Sequence, residues 1–201
     1  MGKRTVSKHD IIELGVLFAT LAIVTIMAFY TPLKIEWVWR APQLLVPFAI
    51  LLVHHKSVKS IGLDVRNFPQ NMGLGILAAI LLTVGLAPIY LWLWSPTMPT
   101  SLYLDVWAWV TIFVIANALV IEIFYRGGLQ SRLTKLTGFM PALIITSLLC
   151  GIDFFEFMIF GPITAVIAAA VSGFLYYKTE TLVAPITAHI LWPLLIMMLV
   201  V

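Results

Sequence analysis

VWAWVTIFVIANALVIEIFYRGG, residues 106–128, decides the fold. From Val106 to Tyr125 the run is largely apolar and carries one charged residue, Glu122. About twenty such residues is the length of a membrane-spanning helix. An acid at membrane depth is expensive and marks a functional site by default. Glu122 and Arg126 are four apart, so on a helix they share a face and can pair. Gly127-Gly128 is expected to break the helix, because glycine reaches backbone shapes other residues avoid. A purely structural alternative stands beside this: an ion pair at a helix end, with Arg126 snorkelling to the interface.

The rest of the chain agrees with the membrane reading. It is 62% hydrophobic and 10% charged, with a mean hydropathy of +1.06 over 201 residues. No soluble domain of that size hides so much apolar surface; a protein dissolved in lipid can. A single cysteine, Cys150, excludes a disulfide within the chain and a cysteine metal cluster. The net charge of +3 gives no sign of a nucleic-acid partner. The first apolar run is long and lacks a small-residue cleavage site, so it is expected to be a retained span.

Taken in order, the chain reads as an all-α polytopic bundle of about seven transmembrane helices forming one integral membrane domain over residues 1–201. The spans are expected at about 11–30, 38–53, 72–94, 106–125, 139–160, 161–177 and 182–201. The second carries Pro42 and Pro47, and Pro88 is expected to kink the third. Lys34, Glu36 and Arg40 fall in the loop before the second span, near Trp37 and Trp39. Trp92, Trp94, Tyr103, Trp107 and Trp109 make an aromatic belt at one interface. Residues 54–71 read as a surface loop with one turn of helix, and His54 and His55 as interfacial residues. Residues 127–138 read as a short polar helix along the interface. Asp153 and Glu156, three apart, share a face of the fifth span. Small residues from Ala165 through Ala168, Ala169, Ala170 and Ser172 to Gly173 allow close helix approach in lipid.

Charge sets the orientation. With the N-terminus in the cytoplasm, ten of the 12 basic residues fall in cytoplasmic segments and only Lys34 and Arg40 outside. That is the asymmetry of the positive-inside rule, and it puts the C-terminus outside. His189, seven residues beyond Leu182, then lies ~10 Å deep at 1.5 Å per residue. That depth matches Glu122, whereas Asp153 lies deeper. A carboxylate beside a histidine in a dry cavity can serve as general base and charge stabiliser for attack of water on an amide. The bland alternative is that the two side chains bond each other. A catalytic zinc site wants about three protein ligands, and only Glu122, Asp153, Glu156 and His189 are counted within spans. No metal and no cofactor are expected.

These residues carry a resemblance. Glu122 through Arg126-Gly127, a polar short helix, and Gly138-Phe139-Met140-Pro141-Ala142 together resemble the first motif region of the CAAX protease and bacteriocin-processing (CPBP, or Abi) intramembrane endopeptidases. Ser147-Leu148-Leu149-Cys150-Gly151 is similar to their second motif region. Gly173-Phe174-Leu175-Tyr176-Tyr177-Lys178-Thr179, followed by Thr181-Leu182, Ala184-Pro185-Ile186 and Ala188-His189, is similar to the third. The resemblance covers about residues 105–201, with a weaker echo in Ser60-Ile61-Gly62-Leu63-Asp64-Val65-Arg66. It implies a CAAX-protease-like helical fold. It also implies a pattern of a Glu-Glu pair followed by Arg, a histidine ending the second motif, and a histidine followed four later by asparagine. The first Glu and the second-motif histidine would activate water; the last histidine and the asparagine would stabilise the oxyanion. In this chain the first Glu falls on Ile121, the second on Glu122, and the arginine on Arg126. The second-motif histidine falls on Phe154, the third-motif histidine on His189, and the asparagine on Pro193. Asp153, beside Phe154, is a candidate replacement acid, although neighbouring positions differ by about 100° around a helix. Pro193 has no N–H for the carbonyl of His189, so a kink is expected there.

Three functions follow. One is a catalytically impaired member of the fold that holds a peptide, a lipid-modified peptide or a membrane-protein partner without cutting it. Another is a working intramembrane endopeptidase using Glu122 and His189, with Asp153 as improvised acid. A third is a small transporter or channel subunit, for which no inverted repeat is visible. In each the chain sits in the cell membrane with lipid as its constant partner.

Overall fold

The computed structural model describes residues 7–30, 36–93, 103–154 and 160–200, and among these every regular element is helical. The elements are α1 (Lys8–Tyr30), α2 (Glu36–Val53), α3 (Phe68–Leu93), α4 (Tyr103–Ile121), α5 (Ser131–Thr137), α6 (Phe139–Asp153), α7 (Phe160–Thr179) and α8 (Val183–Val200). A 3-10 turn at Val58–Ile61 lies between α2 and α3, and a π-helical stretch, Glu122–Gln130, joins α4 to α5.

Burial runs opposite to that of a soluble protein. Leu81, Val84 and Met198 are 64%, 68% and 67% exposed, whereas Glu13, Arg40, Gln43, Glu122, Arg126 and Gln130 are each at most 1% exposed. An apolar exterior around a polar interior is what lipid selects, since no water is there to satisfy polar groups on the outside. Three stretches, Lys8–Ala28, Phe68–Ile89 and Val110–Thr137, are long and apolar enough to cross a membrane. Arg40–Val53, Phe139–Asp153 and Val183–Leu199 are shorter apolar helices. The protein is an all-α membrane helical bundle.

The helices associate in pairs: α1 with α2, α3 with α8, and α6 with α7. Along α3 and α8, Ala79, Leu82, Leu86, Trp192 and Ile196 pack together, and the Thr83 hydroxyl donates to the Ala79 carbonyl at 2.8 Å. Both α3 and α8 continue through their prolines, Pro88 and Pro193.

Four expectations need correction. The helix does not break at Gly127-Gly128; it widens into the π stretch and runs on into α5. A Cβ on Gly127 would lie 2.6 Å from the Ile61 carbonyl oxygen, so this glycine serves close packing, not chain reversal. The wider winding loosens the carbonyls of residues 127 and 128, and side chains take them up. Ser131 Oγ donates to both, at 2.5 and 3.0 Å, and Arg132 NH1 to both at 3.0 Å. Nor is the stretch 127–138 a single short helix of polar character: it is the end of the π stretch followed by α5, and Gln130, Arg132 and Leu133 within it are buried. The fifth span ends at Asp153 instead of Phe160, with Phe154 as its cap. Glu156 and residues 94–102, including Trp94, lie outside the described residues, as do the side chains of Trp37, Trp39, Trp92, Tyr103, Trp107 and Trp109. Lastly, Arg40 belongs to α2 and is buried, not placed in a loop.

Candidate active site

The π stretch begins at Glu122 and turns that carboxylate into the bundle. One oxygen, Oε1, lies 2.7 Å from His189 Nδ1 on α8; the other, Oε2, lies 3.3 Å from Arg126 Nε one turn on. The depth argument for Glu122 with His189 and the spacing argument for Glu122 with Arg126 are both met, and the alternative in which acid and histidine bond each other is what the structure contains. His189 is the open member, with a side chain 16% exposed, whereas Glu122 and Arg126 are sealed. Ser172 of α7, also buried, faces the same carboxylate.

Arg126 extends the network inward. Its NH1 donates to Gln130 Oε1 at 3.1 Å and to Thr146 Oγ1 of α6 at 3.2 Å. Gln130 Nε2 in turn donates to the Gly173 carbonyl at 2.8 Å. Gly173 is required there: a Cβ would lie 2.7 Å from Gln130 Oε1 and 3.3 Å from Arg126 NH1. Glu122 Oε2, Arg126 NH2 and Ser147 Oγ are buried with no hydrogen-bond partner among the described residues. The cluster thus keeps acceptor and donor capacity unused.

Asp153 is not part of this cluster's hydrogen bonding. Its Oδ2 receives Arg40 NH1 at 3.1 Å and Gln43 Nε2 at 3.0 Å, both from α2, and the Tyr125 phenol lies beside it. Arg40 also stands over the Phe154 ring, 5.4 Å from its centroid. Arg40 and Gln43 went unread as partners because each sits 110 or more residues from Asp153. A buried Glu13 in α1 was missed as well: its Oε2 accepts from Arg132 Nε at 2.7 Å and its Oε1 from Lys56. The signal for Glu13 was available, since it is an acid in an otherwise apolar run. His54 is partly exposed, with Nε2 3.6 Å from Glu13 Oε1. Among the described residues no three His, Cys, Asp or Glu side chains converge on a metal-sized point.

The motif order, the Glu122–Arg126 pair and the meeting with His189 all fall within one stretch of chain. Residues 103–195 match the family described as Rce1-like, type II CAAX prenyl endopeptidase. That stretch is similar to the type II CAAX prenyl endopeptidases. No curated relative and no solved structure matches the chain.

Ile121 and Phe154 are neighbours in space. Ile121, only 1% exposed, lies in an apolar cluster with Leu17, Leu21, Ile50, Phe124 and Cys150, and Phe154 packs against the same cluster. Two hydrocarbon side chains thus share one core beside the Glu122 network. Pro193 has no side-chain donor to offer.

Proposed function

We propose that this CAAX-protease-family protein binds a peptide, a lipid-modified peptide or a partner helix in the membrane and does not hydrolyse it. The observation that carries this reading is the shared apolar cluster of Ile121 and Phe154. General acid–base groups and oxyanion donors each typically contribute about 10²–10⁴-fold in rate. A site lacking base, base partner and asparagine loses most of what the family chemistry supplies. Glu122 does not restore it, because Arg126 and His189 already engage both its oxygens. Asp153 does not restore it either, because Arg40 and Gln43 hold its carboxylate. What supports a binding role is the unspent polar capacity of Arg126 and Ser147 beside a partly open His189.

The decisive measurement is turnover of a panel of prenylated and hydrophobic peptides by purified protein. No cleavage above that of Glu122→Ala and His189→Ala is expected, with retention of at least one peptide by the wild type. Cleavage that both substitutions abolish would establish a working endopeptidase built on the short Glu122–His189 contact, with Asp153 as the next residue to replace.

For topology we infer seven spans in the cell membrane, with the N-terminus cytoplasmic and the C-terminus outside. The charge asymmetry supports this, although Arg40 and Arg126 are spent on buried ion pairs and drop out of the tally on either side.

A further inference from the structure

A concavity lies apart from Glu122 and His189. It is a cleft of ≈ 520 Å³ at one end of the bundle, where α1 begins, α2 and α7 end, and α5 crosses. Lys56, Lys59, Arg66, Arg132 and Lys135 line it, against two acids, Glu13 and Glu180. Most of the positive charge is balanced locally, but not all. Lys135 pairs with Asp10 at 2.8 Å and Arg66 with Asp64 at 2.7 Å. Lys56 and Arg132 share one carboxylate, that of Glu13. Lys59 is exposed and has no carboxylate partner among the described residues. Counting these five cations against Glu13, Asp10, Asp64 and Glu180 leaves one positive charge over.

We propose that this cleft binds the phosphate group of an anionic membrane phospholipid. A phosphodiester brings the single negative charge that is lacking, and hydroxyls of Ser60 and Thr134 line the same walls as hydrogen-bond donors. Lipid is favoured over a free anion by the surroundings. Val58 and Leu136, next to Lys59 and Lys135, are 47% and 36% exposed, and Met140 beyond them is 59% exposed. A headgroup in the cleft would therefore leave its acyl chains against apolar surface. Basic pockets between helices at the membrane surface are a recognised place for anionic headgroups. The inference does not depend on whether the Glu122 site cuts, binds or does neither.

The test uses the full chain in neutral detergent. Retained lipid is read by native mass spectrometry, and Tm is followed as lipid is added. Phosphatidylglycerol should be retained and should raise Tm, while phosphatidylcholine should do neither. Lys59→Gln should weaken phosphatidylglycerol binding about fivefold, the effect of one basic residue near an anionic surface. Lys59→Arg should keep it. Because Lys59 is exposed and outside the ion pairs, Lys59→Gln should keep the wild-type Tm without lipid. Glycerol phosphate competing as well as the lipid would overturn the assignment in favour of a soluble anion. Equal retention of both lipids, or a Lys59→Gln protein that binds like wild type, would overturn the site.

Discussion

Glu122 is held from two sides by unlike partners, a histidine that reaches the open and an arginine that does not. Removing one member of a buried ion pair leaves the other uncompensated and typically costs about 3–5 kcal/mol. Arg126→Gln should cost more than Glu122→Gln, because Gln130 and Thr146 lose their donor as well. Unfolding in detergent–SDS mixtures is the measurement. The double substitution should fall short of the summed singles by about 0.5–3 kcal/mol. A strictly additive double would mean the two charges contribute nothing to each other. At this scale the pair was legible, since a spacing of four places side chains on one helix face. The bond to His189 was legible as a matter of depth. Arg40–Asp153 was not, because spacing carries no information across helices 113 residues apart.

At the scale of the element, the π stretch is where local reading failed. A Gly-Gly pair has two physical meanings: freedom of backbone shape and absence of bulk. Sequence alone does not separate them, and here the second applies to Gly127, which receives the Ile61 backbone. Gly127→Ala would place its methyl 2.6 Å from the Ile61 carbonyl oxygen, a main-chain atom that cannot simply rotate away. Overpacking of this kind typically costs about 1–3 kcal/mol. A lowered Tm with a loosened loop before α3, read as faster proteolysis near Lys59, is the expected result. Unchanged stability would mean that the two segments are not in contact. The early end of α6 is a related case. Hydropathy continues through Phe154, so a window of apolar residues does not register where hydrogen bonding stops.

For the whole molecule, class and helix order were legible because lipid imposes them residue by residue. How the helices pair was not, because α3, α4 and α8 are apolar nearly all round and offer no single face to read. The inferred orientation predicts that a cysteine at exposed Lys59 reacts with a membrane-impermeant reagent only after cells are opened, and that a tag after Val201 is reached in intact cells. Cys150 is buried and should stay silent in that assay. Labelling of Lys59→Cys in intact cells would reverse the topology. The buried ion pairs have one further consequence. Glu13 comes from α1 and Arg40 from α2, whereas Arg132 and Asp153 belong to the core 103–195. Entering lipid alone, that core would carry one cation and one anion with nothing to neutralise them. The first two helices therefore act toward it as tethered counter-ions, and the core can be stably inserted only after its own salt has been supplied from upstream in the same chain.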